Sequence, residues 1–138
     1  PAGYKALSTA NLPAVATNQP SLFFDAKTYT GTGGFQTVSA NFEPDLVWIK
    51  NRFQTFWGTL SDSVRGPNND LFSNSSSAAT TDDPNGWVSA FNTTGFAVGG
   101  SCSAIPNNVN AAGNSYIAWA WKKAPTAGMD IVTYQGDG

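Results

Sequence analysis

Residues 115–122 alternate strictly between two kinds of side chain, and this alternation most constrains the fold. One set of positions is bulky and the other is mostly small: Ile117, Trp119 and Trp121 against Tyr116, Ala118 and Ala120. Successive side chains of a strand point to opposite faces, so a period of two predicts a β-strand. The small face suits the close approach of a second layer. We expect Trp48, Trp119 and Trp121, which lie inside predicted strands, to be core residues.

Other short segments with strand-forming residues are separated by turn residues. They are 26–30, 35–40, 45–50, 56–61, 71–73, 86–91, 95–98 and 129–134. The nearly all-apolar 45–50 predicts a central strand buried on both faces. The glycine-rich turn 31–34 predicts a hairpin between its flanking strands. No segment has a capped helical period, so the predicted fold is all-β, a two-sheet antiparallel sandwich that is jelly-roll-like.

The chain is expected to divide into three parts. Residues 1–24 contain Pro1, Pro13 and Pro20, which disfavour helices and central strands and predict an extended N-terminal arm, the end of a preceding domain. Residues 25–124 form the predicted β-sandwich domain. Residues 125–138 are interpreted as a linker and the first strand of a following repeat.

An internal sequence repeat supports that last interpretation. Five identities recur at a constant offset of 105 residues: Asp25 with Asp130, Thr28 with Thr133, Tyr29 with Tyr134, Gly31 with Gly136, and Gly33 with Gly138. The repeat predicts tandem units of about this length. The alternative is two unrelated strands that each lead into a tight turn, where Tyr-x-Gly-x-Gly is a suitable sequence.

Several function classes are disfavoured by composition. The chain has no histidine, which removes Ser-His-Asp and Cys-His catalysis and the commonest zinc ligand. The net charge is −2 with no cluster of basic residues, so nucleic-acid binding is not expected. No apolar run reaches the roughly 18 residues of a membrane helix, and no membrane insertion is expected.

The residues that could carry chemistry have simpler interpretations. Glu43 and Asp45 flank Pro44 in a predicted turn rather than forming a glycosidase pair. Residues 82–86 resemble a calcium loop in composition but lack its ligand spacing, so a turn is favoured. Cys102 is the single cysteine and is expected to be an inert filler. We therefore predict no enzyme, with no catalytic or metal-ligating residues and no cofactor.

Aromatic residues outside the predicted strand centres are the candidates for ligand contact. Trp57 and Trp87 lie near strand ends and loops, and Phe53 precedes Trp57 closely. Exposed rings of this kind stack on sugar faces. The alternative is that all three rings simply pack against the protein interior.

Four ordered blocks of this sequence resemble an uncharacterised domain of tailed-bacteriophage virion proteins. The blocks are residues 29–33 (YTGTG), 42–52 (FEPDLVWIKNR), 62–66 (DSVRG) and 116–122 (YIAWAWK). Residues 1–13 resemble the end of a SPRY-like, lectin-fold domain that often precedes this unit. Ala120 stands where the family commonly has cysteine.

The resemblance implies a non-enzymatic module of a tail fibre or receptor-binding adhesin, located on the virion after assembly in the bacterial cytoplasm. It implies partners among other virion subunits or copies of the same chain, with a homo-oligomer expected and a host surface glycan as a further partner. A capsid decoration protein, head fibre or filament subunit is the alternative, and a polysaccharide depolymerase is the third hypothesis. The family provides no catalytic residues to transfer.

Overall fold

The computed structural model describes residues 19–81, 87–100 and 109–137, and these ranges fold as an all-β sandwich. Its strands are, in chain order, β1 (Phe24–Thr30), β2 (Gln36–Ser39), β3 (Leu46–Asn51), β4 (Thr59–Asp62), β5 (Asp70–Phe72), β6 (Val88–Asn92), β7 (Gly95–Val98) and β8 (Ser115–Trp121). Two short 3-10 turns, Pro20–Leu22 and Pro125–Ala127, flank this set. The predicted fold class, two antiparallel sheets, is confirmed.

The strands form two antiparallel sheets of unequal size. The larger has the order β1-β8-β3-β4-β5, and the smaller has the order β2-β7-β6. All of the strand pairs are antiparallel. The inward side chains of both sheets form one core: Val38, Val47, Ile49, Phe72, Trp87, Val88, Phe96, Val98, Val109, Tyr116 and Ala118.

Strand β8 shows why the two sheets can approach closely. Tyr116, Ala118 and Ala120 are buried on its inner face, as the alternation predicted. The alanines leave room for large side chains of the opposite layer, and Trp87 and Phe96 are both fully buried there. The burial of these apolar side chains is the main favourable term in the stability of such a fold.

The predicted hairpin between the first two strands is wrong. β1 pairs with β8 and β2 pairs with β7, so the intervening turn crosses from one sheet to the other. The buried Asn110 holds this crossing: its Oδ1 accepts from the Thr32 backbone N at 2.9 Å, and its Nδ2 donates to the Gly99 carbonyl at 2.8 Å. A side chain 78 residues from Thr32 in sequence, rather than local turn geometry, holds the chain on this path.

Two other strand predictions need correction. β3 is buried on one face only, because Val47 and Ile49 point inward while Trp48 is exposed. The predicted strand at 129–134 is not formed: Met129 makes an isolated bridge to Ala124, and the described residues after it belong to no strand. A strand in the segment 56–61 begins only at Thr59.

Some of the predictions fall outside the described residues. These are the arm over residues 1–18, the turn at 82–86 and Cys102. The end of the predicted arm is described, and β1 begins at Phe24, one residue earlier than the expected domain boundary. No helix within the described ranges is long and apolar enough to cross a membrane.

Candidate binding face

The outward face of the larger sheet carries four aromatic side chains on three neighbouring strands. They form what we call the outer aromatic face: Phe24 on β1, Trp119 and Trp121 on β8, and Trp48 on β3. The register places Trp48 directly opposite Trp119 and Phe24 opposite Trp121. Their ring centroids lie 5.1 and 5.3 Å apart, which is the usual spacing of interacting aromatic pairs.

This face is a surface of the protein rather than part of its core. Trp48 is 36% exposed and Phe24 is 41% exposed, while Trp119 and Trp121 are half-buried. Leu71, at the outward position of the edge strand β5, is also exposed. Clustered exposed apolar side chains of this kind are typical of interaction sites.

A groove of about 500 Å³ opens beside the pair of tryptophans. It is lined by Trp48, Trp119, Lys50, Gly58, Ser73 and Asn74. The two indole rings are tilted by 43° to one another, so they present a shallow, angled apolar wall. The remaining lining is polar, which gives the groove hydrogen-bonding groups alongside its aromatic surface.

Gly58 allows Ser73 and Trp48 to pack closely around it at the wall of the groove. A Cβ at position 58 would lie 2.5 Å from the Ser73 Oγ and 2.9 Å from the Trp48 Nε1. The Gly58 backbone N donates to the Asn74 Oδ1 at 2.8 Å, and the Gly58 carbonyl accepts from the Ser73 N at 2.8 Å. Because the Asn74 carbonyl oxygen is used in this way, the amide group that Asn74 offers a ligand is its NH₂ donor.

One end of the face is positively charged. Lys50 and Arg52 follow Trp48 at successive alternate positions, so each is about 7 Å further along the strand direction. The Lys50 ammonium donates one hydrogen bond to the Phe56 carbonyl, and the Arg52 Nη1 donates to the Ser115 Oγ at 3.2 Å. Each cation keeps further donors, because an ammonium has three and a guanidinium has five.

The three aromatic candidates from the sequence lie elsewhere. Trp87, a candidate for ligand contact with core packing as its alternative, is 1% exposed and packs edge-on against Phe72, so its ring is a core side chain. Its backbone φ of 42° turns the chain at this point. Trp57 is half-buried and also packs on Phe72, with ring centroids 5.1 Å apart. Phe53 alone is fully available, with 78% exposure on the turn after β3.

Conversely, the tryptophans expected in the core form the outer aromatic face. The prediction failed because strand periodicity defines two faces without saying which one is covered. The signal was present in β8: its alternative face holds Ala118 and Ala120, and only those small side chains admit the bulky residues of the second sheet. The same argument places Trp48 outward, since it is paired with Trp119.

Two of the described acidic residues, Asp45 and Asp62, have structural roles. Asp45 fixes the strand ends: its Oδ1 accepts from the Ser63 Oγ at 2.7 Å, and its Oδ2 accepts from the Lys123 backbone N at 2.8 Å. Asp62 pairs with Arg65 at 2.5 Å. Within the part of the chain that the structure describes, no group of three or more His, Cys, Asp or Glu side chains could hold a metal ion.

A marked electrostatic effect occurs on the inner side of the larger sheet. Burial raises the pKa of the Tyr29 phenol well above its usual value, and the neighbouring Tyr116 adds to this rise. The two rings stack with centroids 5.2 Å apart, and the Tyr29 hydroxyl donates to the Val109 carbonyl at 2.7 Å. This pair supports the core and takes no part in the outer face.

The chain matches no characterised protein and no solved structure at a significant level. A family model described as a domain of unknown function, DUF7483, matches residues 19–138, which include every strand of the sandwich and both sides of the groove. The match covers well over half of the sequence, and the chain therefore belongs to the DUF7483 family.

Proposed function

We propose that this domain is a non-catalytic binding module of a bacteriophage virion protein, of the tail-fibre or receptor-binding adhesin type. The observation that carries the binding role is the outer aromatic face, with Trp48 and Trp119 paired beside an open groove. The four ordered sequence blocks support the virion assignment. A rigid strand scaffold suits such a role, because side chains on strands hold a binding geometry better than side chains on loops.

The groove offers binding groups without a recognisable catalytic set. Its polar side chains are the ammonium of Lys50, the hydroxyl of Ser73 and the amide of Asn74. None of the described residues that line the groove is a carboxylate, so these residues provide neither a carboxylic general acid nor a carboxylate nucleophile for glycoside hydrolysis. We therefore favour a binding role over the activity of a polysaccharide depolymerase.

Location is tested by electron microscopy of purified particles labelled with gold-conjugated antibody against this domain. Label on tail fibres or tail tips is the expected result. Absence of label from all particles would contradict the virion assignment.

Function is tested by competition, in which the purified domain is added before phage adsorption to the host. The wild-type domain should reduce adsorption, and Trp119→Ala should lose this effect. Phe35→Ala is the matched control, because Phe35 is an exposed aromatic residue beside the smaller sheet. Equal inhibition by all three proteins would show that the outer aromatic face is not the receptor-binding surface.

A capsid decoration protein, head fibre or filament subunit is the second candidate. The observation in its favour is the exposure of two large side chains, Val132 and Tyr134, in the segment after Met129, which belongs to no strand. A segment with exposed apolar side chains and no strand partner of its own can add to the sheet edge of a neighbouring subunit. Gold label on the head, together with protection of residues 129–137 from protease only in assembled particles, would favour this role.

A further inference from the structure

Building on the proposed binding function, we infer that the groove beside Trp48 and Trp119 is a subsite for an acidic glycan. Two features together point to this ligand class: an aromatic wall for the apolar face of a sugar ring, and a positively charged end for its acidic group.

The aromatic part provides the surface on which a pyranose ring stacks. Trp48 and Trp119 are held in register by β3 and β8, so neither ring needs to be ordered on binding. Pre-ordering lowers the entropic cost of binding, and an indole presents a large area with only two side-chain torsions.

The polar rim matches the hydroxyl groups of a sugar. Asn74 offers its amide NH₂ as a donor, and the Ser73 hydroxyl, which donates to the Gly58 carbonyl at 3.2 Å, offers its oxygen as an acceptor. A purely apolar patch for another protein would not need these groups at the groove wall. Their presence next to the indoles favours a glycan over an apolar protein surface.

The charge pattern selects an acidic glycan. The outward positions of β1 and β8 carry no charged residue, and on β3 and its continuation the charged residues are Lys50 and Arg52. Among the described residues, the ion pairs formed are Lys27 with Asp25 and Arg65 with Asp62, so within this part of the chain Lys50 and Arg52 are not paired with a carboxylate. A carboxylate, sulfate or phosphate on the glycan would be the complementary charge.

Single-stranded nucleic acid also combines rings with negative charge, and the structure favours it less. The chain has a net charge of −2, and two cations on one face provide little neutralisation of a continuous phosphate backbone. A glycan with spaced acidic groups needs only these two.

The test is native affinity electrophoresis of the full chain in gels that contain hyaluronan, alginate or polygalacturonate. Hydroxyethylcellulose and methyl-esterified pectin are the neutral counterparts, and oligo(dT) is tested in solution. The wild-type protein should be retarded by at least one acidic polymer and less by the neutral ones. Raising NaCl from 50 to 500 mM should weaken the retardation, because salt screens exposed charges.

The variants separate the two parts of the site. Trp119→Ala should weaken binding by about tenfold or more, the range for truncating a central tryptophan in a binding site. Lys50→Gln should weaken binding to the acidic polymer several-fold and remove much of its salt dependence. Phe35→Ala should bind as the wild type does, and thermal melting should show that all variants remain folded.

Retardation by none of the acidic polymers, equal retardation by neutral ones, or Trp119-dependent binding of oligo(dT) would each overturn the inference. These failures are distinguishable from failure of the proposed function. If the domain blocks phage adsorption through Trp119 but ignores every polymer, the binding function stands and the acidic-glycan assignment falls. If it does neither, both fall.

Discussion

Strand β1 and the segment 129–137, which we call the tail segment, share a sequence motif and differ in structure. In β1, Tyr29 stacks on Tyr116 and donates to the Val109 carbonyl, whereas its counterpart Tyr134 is 90% exposed. A Cβ added to Gly31 would collide with the backbone of residues 110–111, whereas a Cβ added to Gly136 would meet no described atom within 4 Å.

The difference teaches that the motif becomes a strand only where another strand pairs with it. β1 runs along β8 over its whole length, from Phe24 opposite Trp121 to Thr30 opposite Ser115. The tail segment has no such neighbour among the described residues, and backbone groups without a partner remain hydrogen-bonded to water. The tandem arrangement that the sequence repeat indicates therefore remains a prediction. The structure shows what the residues of the motif contact in its first copy, β1.

Substitution of the glycines should give the largest difference in unfolding free energy between β1 and the tail segment. Gly31→Ala should reduce the free energy of unfolding by about 3–5 kcal/mol, because a Cβ there would lie 2.2 Å from the Ala111 carbonyl oxygen and the backbone itself must move. Gly136→Ala should change it by less than about 0.5 kcal/mol. Urea unfolding followed by tryptophan fluorescence measures both, and similar values for the two variants would contradict the comparison.

Substitution of the two tyrosines should give a smaller difference in the free energy of unfolding. Tyr29→Ala should cost about 2–3 kcal/mol, since it removes a ring packed on the core and leaves the Val109 carbonyl without its donor. Tyr134→Ala should leave the urea midpoint unchanged. A loss of stability at Tyr134 would show that the tail segment packs on this domain.

The third prediction concerns alkaline pH. Burial raises the pKa of Tyr29 in the folded protein, so the folded state holds its proton more tightly than the unfolded state does. Its contribution to stability is therefore fully present below about pH 10, the ordinary tyrosine value, and is lost as pH rises toward the folded pKa.

Melting temperatures at pH 8, 10 and 11 measure this effect in the wild type and in Tyr29→Phe. Phenylalanine keeps the ring but cannot ionise, so the variant should lose less stability across this range than the wild type. Tyr134→Phe is the matched control and should follow the wild-type curve. Parallel curves for Tyr29→Phe and the wild type would contradict the prediction.

Substitution of the two aspartates should give the smallest difference in the free energy of unfolding. Asp25 accepts from the Asn41 backbone N at 3.2 Å and pairs with Lys27 at 3.1 Å, in a partly exposed setting. Asp25→Asn should therefore cost no more than about 1 kcal/mol. Asp130 accepts only from the adjacent Ile131 N among the bonds described, and Asp130→Asn should have no measurable effect on the same urea curve.

The strands of the sandwich followed largely from local sequence. Alternation in 115–122 predicted β8 within one residue, and seven of the other predicted segments overlap an observed strand. Pairing did not follow, because it depends on distant residues. Asn110, which holds the turn after β1, contacts Thr32 and Gly99 across long sequence separations, and no local pattern marks it.

The candidate site was the least predictable part. An exposed tryptophan and a buried one look alike in sequence, so the sequence left both surface and core open for Trp87 and led to the wrong expectation that Trp119 lies in the core. The deciding information was relative size: Ala118 and Ala120 define the covered side, and the neighbouring tryptophans must then lie outward. Lys50 and Arg52 can be recognised as part of the binding face only once Trp48 is known to face outward, because they lie on the same side of the strand.

The strict alternation along β8 also separates two kinds of mutational freedom. Positions 117, 119 and 121 contribute to the surface, while positions 116, 118 and 120 contribute to the interior, and no position serves both. Evolution of ligand binding can therefore replace the outward residues while the packing between the two sheets stays the same. A combinatorial library restricted to outward positions 48, 50, 117, 119 and 121 would accordingly sample new ligands on an unchanged framework.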